Sequence, residues 1–129
     1  MATQILTHLM FDGRAKEAME FYVSLFPGSK VHEALHYQEP EHKHRLIRAS
    51  FSLAGQEFIC IDTLEKHKFK AAPIMSIFVD CESADELDRV YTALAQDGEV
   101  LMALSNYGFS QKFGWVKDRF GISWQINLP

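Results

Sequence analysis

Residues 9–31, LMFDGRAKEAMEFYVSLFPGSKV, decide the fold, because residues 77–100, IFVDCESADELDRVYTALAQDGEV, repeat their pattern about seventy positions later. In both segments an apolar strand ends at an aspartate, apolar residues then recur at helical spacing, and a glycine precedes the next strand. The offset drifts from 68 residues at the aspartate pair to 70 at the glycine pair. The chain therefore contains two copies of one module, an arrangement that favours a sheet-lined cavity for a small molecule.

The hydrophobic periodicity around each repeat predicts one strand, one helix and three further strands. The helices are predicted at residues 14–26 and 83–96. The predicted strands are 5–11, 31–37, 45–53 and 57–62 in the first module, and 74–79, 100–104, 114–117 and 122–128 in the second. We therefore predict one α+β domain, residues 1–129, with two βαβββ modules and a polar linker between them: residues 1–65, residues 74–129 and residues 66–73.

Composition and charge narrow the class of protein. Hydrophobic residues make up 47% of the 129 residues and charged residues 23%, which is ordinary for a globular protein. The formal charge of -4 provides no positive field for nucleic acid. No apolar run approaches the roughly 20 residues that span a bilayer, so we predict no membrane partner. The two cysteines, Cys60 and Cys81, are far apart and suit a reducing compartment, so we predict a cytoplasmic location.

The closing segment FGWVKDRFGISWQI, residues 113–126, resembles the C-terminal signature of the PhnB-like branch of the vicinal oxygen chelate superfamily, relatives of glyoxalase I and bleomycin-resistance proteins. FDG at 11–13, LAGQEF at 53–58 and FVDC at 78–81 are similar to the same branch, in the same order. The resemblance implies the glyoxalase/bleomycin-resistance fold, in which paired βαβββ modules form a curved mixed sheet around a cavity. It also implies a homodimer, with or without exchange of modules between chains.

Glyoxalase-like members of that superfamily hold a divalent metal with four side chains, one from the first and one from the last strand of each module. By the resemblance, these positions fall on Gln125, on Ile74, near Cys60, and on Leu6 or Thr7. A hard divalent cation needs several good oxygen or nitrogen donors, and Gln and Ile do not complete such a set. We therefore predict no metal and no other cofactor, and keep a metal-dependent enzyme as an alternative.

His8 is the candidate catalytic residue, and no other catalytic residue is predicted. Strand alternation puts His8 on the same face as Leu6 and Met10, opposite Leu9 and Phe11. If Leu9 and Phe11 pack on the helix, His8 and Met10 face the cavity. An imidazole there can act as a general base at neutral pH or anchor a polar ligand. The alternative is a strand histidine that only makes a local hydrogen bond.

Other side chains are predicted to line the cavity. Gln125 offers an amide that both donates and accepts, while Cys60 and Asp62 share one strand face at the end of the first module. Ser76 shares a face with Phe78, and large aromatic residues can form either cavity walls or core. The predicted ligand-binding residues are therefore His8, Met10, Cys60, Asp62, Ser76, Phe78, Trp115 and Gln125.

Four further histidines, at positions 32, 36, 42 and 44, do not predict a metal site. His32 and His36 would lie roughly 13 Å apart along a strand, so they cannot share one ion. His42 and His44 lie among charged residues in a polar connection, which is typical of a solvated loop.

These observations predict a protein that binds a small organic molecule in the cavity without the usual divalent metal. One alternative is a lyase, isomerase or dioxygenase of the same superfamily, with a rearranged site around His8 that uses Cys60, Asp62 or Gln125. Another is a structural or partner-binding dimer. Some PhnB-like proteins carry a ubiquinone methyltransferase label, which this sequence does not support, because it lacks the glycine-rich strand-to-helix turn of a nucleotide-type cofactor site.

Overall fold

The computed structural model describes residues 2–64 and 74–129. The chain divides into two compact units, a first unit of residues 1–68 and a second unit of residues 69–129. The described elements of the first unit are β1 (Thr7–Phe11), α1 (Ala15–Leu25), β2 (Lys30–His36), a 3-10 helix (Pro40–His42), β3 (Leu46–Leu53) and β4 (Gln56–Asp62). Those of the second unit are β5 (Ile77–Asp80), α2 (Ala84–Ala95), β6 (Glu99–Ser105), β7 (Lys112–Lys117) and β8 (Ser123–Leu128). The predicted linker at 66–73 lies outside the described residues.

The βαβββ order that the repeat predicts is confirmed in both units. Two strands begin more than one residue later than predicted, because an apolar side chain alone does not extend a strand beyond its pairing partner. Pairing of β1 begins at Thr7 and that of β5 at Ile77. Ile5 and Ile74 precede these points and are 88% and 91% exposed.

The first unit is a four-stranded mixed sheet in the order β1-β4-β3-β2. Strands β1 and β4 are parallel, and the other neighbours are antiparallel. Leu9 pairs with Cys60, which pairs with Ala49, and all three are buried on the face that carries α1. The helix buries its apolar side against this helix face. Its buried residues are Ala15, Ala18, Met19, Tyr22 and Leu25.

The second unit repeats this arrangement in the order β5-β8-β7-β6, again with its first and last strands parallel. Helix α2 packs against β6, β7 and β8. It buries Leu87, Val90 and Leu94 on one stripe. Trp124 and Ile126 alternate with polar residues along β8 and are fully buried on the helix face. In each unit the opposite side of the sheet, here called the open face, carries no helix of that unit. Neither α1 nor α2, nor any other helix in the described part of the chain, is long and apolar enough to cross a membrane.

Candidate functional site

Three of the predicted site residues form one row on the open face of the second unit. Phe78 pairs with Gln125, and Gln125 pairs with Trp115. Met102 extends the row onto β6, since it pairs with Trp115. Phe78 is 53% exposed, while Gln125 and Trp115 are half-buried. The Gln125 amide makes no hydrogen bond with any described residue, so the row joins apolar surface to an amide that is available to a ligand.

A second row fixes the Trp115 indole. Its Nε1 donates a hydrogen bond of 2.8 Å to Ser123 Oγ, and Ser123 Oγ lies 2.6 Å from Ser76 Oγ. Ser123 is buried, whereas Ser76 is half-buried and directly precedes β5. The structure thus places Ser76 beside the row of Phe78 and Trp115. Sequence reasoning missed Ser123, although it lies two residues from Gln125 and alternation puts both on one strand face.

A third row, on the other side of Gln125, was also missed. Asn127 pairs with Asp80 and Phe113, and its Nδ2 donates a hydrogen bond of 2.8 Å to Asp80 Oδ1. Its Oδ1 is buried and has no hydrogen-bond partner among the described residues. The Phe113 ring centroid lies within 6.4 Å of three others, those of Phe78, Tyr107 and Phe109. Aromatic surface therefore continues past Phe78 across the open face.

His8 and Met10 lie on the open face of the first unit. Leu9 and Phe11 are buried on the helix face, which was the condition for His8 to point away from α1. His8 pairs with Ile59, which pairs with Ser50. The imidazole is exposed and makes no hydrogen bond with any described residue. The alternative was a strand histidine that only makes a local hydrogen bond. The described part of the chain contains no partner for such a bond.

Cys60 and Asp62 share one strand face, as predicted, but that face is the helix face. They pair with Leu9 and Phe11 of β1, and both are buried. Their predicted place in the lining of the cavity does not agree with this burial, because the register of β4 turns both side chains toward α1. Burial raises the pKa of the Cys60 thiol to about 12, and the neighbouring Asp62 adds to this rise. A thiol in this state is not a nucleophile at neutral pH.

The four superfamily ligand positions do not form a metal site in this chain. Ile74 has an alkyl side chain, and Cys60 is a protonated thiol buried on the helix face. Thr7 pairs with Phe58 on the same helix face, and Leu6 has no donor atom. Gln125 is then the one donor of the set that lies on an open face. One neutral amide does not fit a hard divalent cation.

The histidines outside the site have local partners or lie apart. His32 Nε2 lies 3.0 Å from a Glu57 carboxylate oxygen, and His36 Nδ1 lies 3.1 Å from the Lys43 carbonyl oxygen. Across residues 2–64 and 74–129, no group of three or more His, Cys, Asp or Glu side chains is placed to hold a metal ion.

Comparison with known proteins gives a family match over almost the whole chain. The family model described as 3-demethylubiquinone-9 3-methyltransferase matches residues 3–127. A solved structure from Bacillus cereus, described as a putative 3-demethylubiquinone-9 3-methyltransferase, PhnB protein, is 47% identical with a TM-score of 0.94. That match covers 98% of this chain and 100% of the other.

Two more distant proteins are also similar to this chain, one in sequence and one in fold. Protein YjdN of Escherichia coli K12 is 26% identical over 83 residues, which are 64% of this chain and 56% of that protein, so the match spans little more than half of the curated relative. A glyoxylase/bleomycin resistance protein/dioxygenase domain from Frankia sp. EAN1pec is 12% identical and shares the fold, with a TM-score of 0.69 and coverage of 99% and 98%. The chain therefore belongs to the family described as 3-demethylubiquinone-9 3-methyltransferase, with a PhnB protein among its relatives, and it shares the fold of a glyoxylase/bleomycin resistance protein/dioxygenase domain.

Proposed function

We propose that this protein binds a small organic molecule on the open face of the second unit, without a divalent metal. The observation that carries the proposal is the position of the Gln125 amide. It lies between the Phe78 and Trp115 side chains in one row and has no hydrogen-bond partner among the described residues. A planar ligand can stack on the aromatic side chains while the amide bonds to its polar group.

The chemistry of this surface favours an aromatic ligand of low charge. Phe78 exposes half of its surface, and Tyr107 and Phe109 beside Phe113 are also exposed. Contiguous exposed aromatic surface is typical of ligand or partner sites. The cation in the adjoining row, Lys117, has its ammonium 3.4 Å from the Glu99 carboxylate, so its charge is already balanced.

Catalysis by a lyase, isomerase or dioxygenase of this superfamily is the second candidate function. The exposed His8 imidazole on the open face of the first unit supports it. Cys60 and Asp62 no longer support it, because both are buried on the helix face. The methyltransferase description of the family is not part of the proposal. The turn from β1 to α1 contains one glycine, Gly13, where nucleotide-type cofactor sites have a glycine-rich turn.

We include a homodimer in the proposal. Apolar side chains are exposed on strands of the first unit, among them Val31, Leu35 and Ile47. Burial of such side chains against a second copy would remove apolar surface from water. Light scattering after size-exclusion chromatography should give twice the 14.8 kDa chain mass at micromolar concentration. A measured mass equal to that of one chain would contradict the homodimer.

The ligand site is tested with N-phenyl-1-naphthylamine, an uncharged aromatic fluorescent probe. We expect Phe78→Ala to weaken binding of the probe about tenfold, the change that loss of one stacking partner produces. The matched control is Ile5→Ala, because Ile5 is 88% exposed and belongs to the first unit. If the wild type and both variants bind the probe with equal affinity, the proposed site is wrong.

The metal-free state has a separate test. The untagged protein is purified without chelator, offered nickel, zinc, manganese and iron in turn, and analysed for elements beside His8→Ala. We expect no metal above background in either. About one metal per chain, lost in the variant, would overturn the metal-free proposal and favour a chelate enzyme around His8.

A further inference from the structure

We infer that the Ser76 hydroxyl presents its hydrogen to the ligand, so that the site selects a neutral aromatic molecule with a carbonyl oxygen next to its ring. This inference rests on the proposed function and names the substrate class of the same site. Gln125 cannot set this preference, because its amide both donates and accepts. The preference for a carbonyl oxygen comes from the direction of the hydrogen bonds that link Trp115, Ser123 and Ser76.

The chain of hydrogen bonds begins at the Trp115 indole. An indole N–H can only donate, so in the 2.8 Å contact Ser123 Oγ is the acceptor. Ser123 Oγ still carries a hydrogen of its own, which needs a second acceptor.

That second acceptor is Ser76. Ser123 is only 7% exposed, and a buried hydroxyl hydrogen without an acceptor is costly. Within the described residues, Ser76 Oγ at 2.6 Å is the one remaining partner of the Ser123 hydroxyl. Ser123 therefore donates to Ser76.

Ser76 then accepts from Ser123 and keeps its own hydrogen for another partner. It is half-buried and lies two residues before the exposed Phe78, so alternation puts the two side chains on the same side of the chain. Hydrogen bonds in a chain polarise one another, which strengthens the final donor. A ligand that stacks on Phe78 gains from an acceptor oxygen at this point and loses if it brings a donor.

The charge near this row favours a neutral carbonyl over a carboxylate. Ser123 pairs with Lys117, which in turn pairs with Glu99 and lies 3.4 Å from its carboxylate. Lys117, the cation of this row, thus already has its countercharge, so the row offers an anionic ligand no unpaired cation.

The test uses three probes that share one fluorinated ring, followed by ¹⁹F NMR titration. They are 4-fluoroacetophenone, 4-fluoro-α-methylstyrene, in which a methylene replaces the carbonyl oxygen, and 4-fluorobenzoate. In the wild type we expect the ketone to bind about tenfold more tightly than the alkene, and more tightly than the benzoate. In Ser76→Ala the ketone and the alkene should bind equally, whereas Ser76→Thr, which keeps the hydroxyl, should retain the preference. Ser24→Ala is the matched control, because Ser24 is an exposed serine of the first unit.

The outcomes separate this inference from the proposed function. Equal binding of ketone and alkene by the wild type, with both weakened in Phe78→Ala, would overturn the inference and leave the ligand site standing. A preference that survives in Ser76→Ala would overturn it as well. Tightest binding of the benzoate would overturn the neutral carbonyl class. If none of the three probes binds while the fluorescent probe still binds in a Phe78-dependent way, the inference alone fails; if the fluorescent probe shows no dependence on Phe78 either, the proposed function fails as well.

Discussion

The Asp62 carboxylate accepts a hydrogen bond of 3.0 Å from the backbone nitrogen of Ala15, the first residue of α1. The same oxygen accepts one of 2.8 Å from Gly13, and the second oxygen accepts one of 2.9 Å from Leu46. Asp62 is 2% exposed. One buried carboxylate thus joins the end of β4 to the start of α1 and to β3, so its role is to hold the first unit together.

Asp62→Asn should lower the free energy of unfolding by about 3 kcal/mol. The amide keeps one acceptor oxygen but turns an NH₂ group toward backbone N–H donors, and buried charge-assisted bonds are lost. Urea denaturation measures the change. The control is Asp88→Asn, whose partner Lys112 is 3.6 Å away in an exposed pair, and about 0.5 kcal/mol is expected there. Similar losses in both variants would contradict a structural role for Asp62.

Gly114→Ala should destabilise the second unit by about 2 kcal/mol. A Cβ at this position would lie 2.8 Å from the Tyr91 ring and 2.9 Å from Leu104 Cδ2, closer than carbon atoms approach. Thermal and urea denaturation report the loss. In a Tyr91→Ala background the same change should cost less, because the Tyr91 ring is gone and only the contact with Leu104 Cδ2 remains. An equal cost in both backgrounds would show that the contact with Tyr91 is not the cause.

Ser83→Ala should cost about 1 kcal/mol, because Ser83 is the N-cap of α2 and its side chain accepts a hydrogen bond from the Glu86 nitrogen. Ser24→Ala is the comparison, since the Ser24 hydroxyl donates to a carbonyl within α1 and caps no helix start. Chemical denaturation should show that Ser83→Ala lowers the free energy of unfolding by about 1 kcal/mol more than Ser24→Ala does. No difference would mean that the cap contributes little.

Both thiols should resist labelling by a disulfide reagent at pH 8 in the folded protein. Burial raises the pKa of Cys60 to about 12, and burial followed by Glu86 raises that of Cys81 to about 11. The thiolate, which is the reactive form, is then scarce. The two thiols should react at once in concentrated guanidinium. Rapid labelling of the native protein would contradict the buried positions.

The raised pKa of Cys60 also predicts how stability depends on pH. The thiol has its ordinary pKa of 9.0 in the unfolded chain and a pKa of about 12 in the folded protein, so the native state binds the proton more tightly. Its contribution to stability is complete below pH 9 and is lost as pH rises toward 12. The free energy of unfolding of the wild type should therefore fall more steeply between about pH 9 and pH 10.5 than that of Cys60→Ala. Parallel curves would rule out this linkage.

The sequence predicts which face of β8 packs on a helix but not which face of β4 does so, and the reason is physical. Along β8 buried Trp124 and Ile126 alternate with Ser123 and Gln125, so the sequence predicts which side of the strand meets α2. Along β4 residues 58–61 are all apolar, and a pattern without alternation does not indicate a face. Register with β1 decides the face, which is why the sequence did not indicate that Cys60 packs toward α1.

The sequence by itself determined two βαβββ modules, their helices and the family to which the chain belongs, because these follow from local periodicity and from motifs along the chain. Only the tertiary structure decided that Asp62 holds α1, and that Ser76 is the end of a hydrogen-bond chain from Trp115. Both depend on contacts between residues 47 positions apart. Such contacts are set by strand register and sheet order, which composition and spacing do not fix.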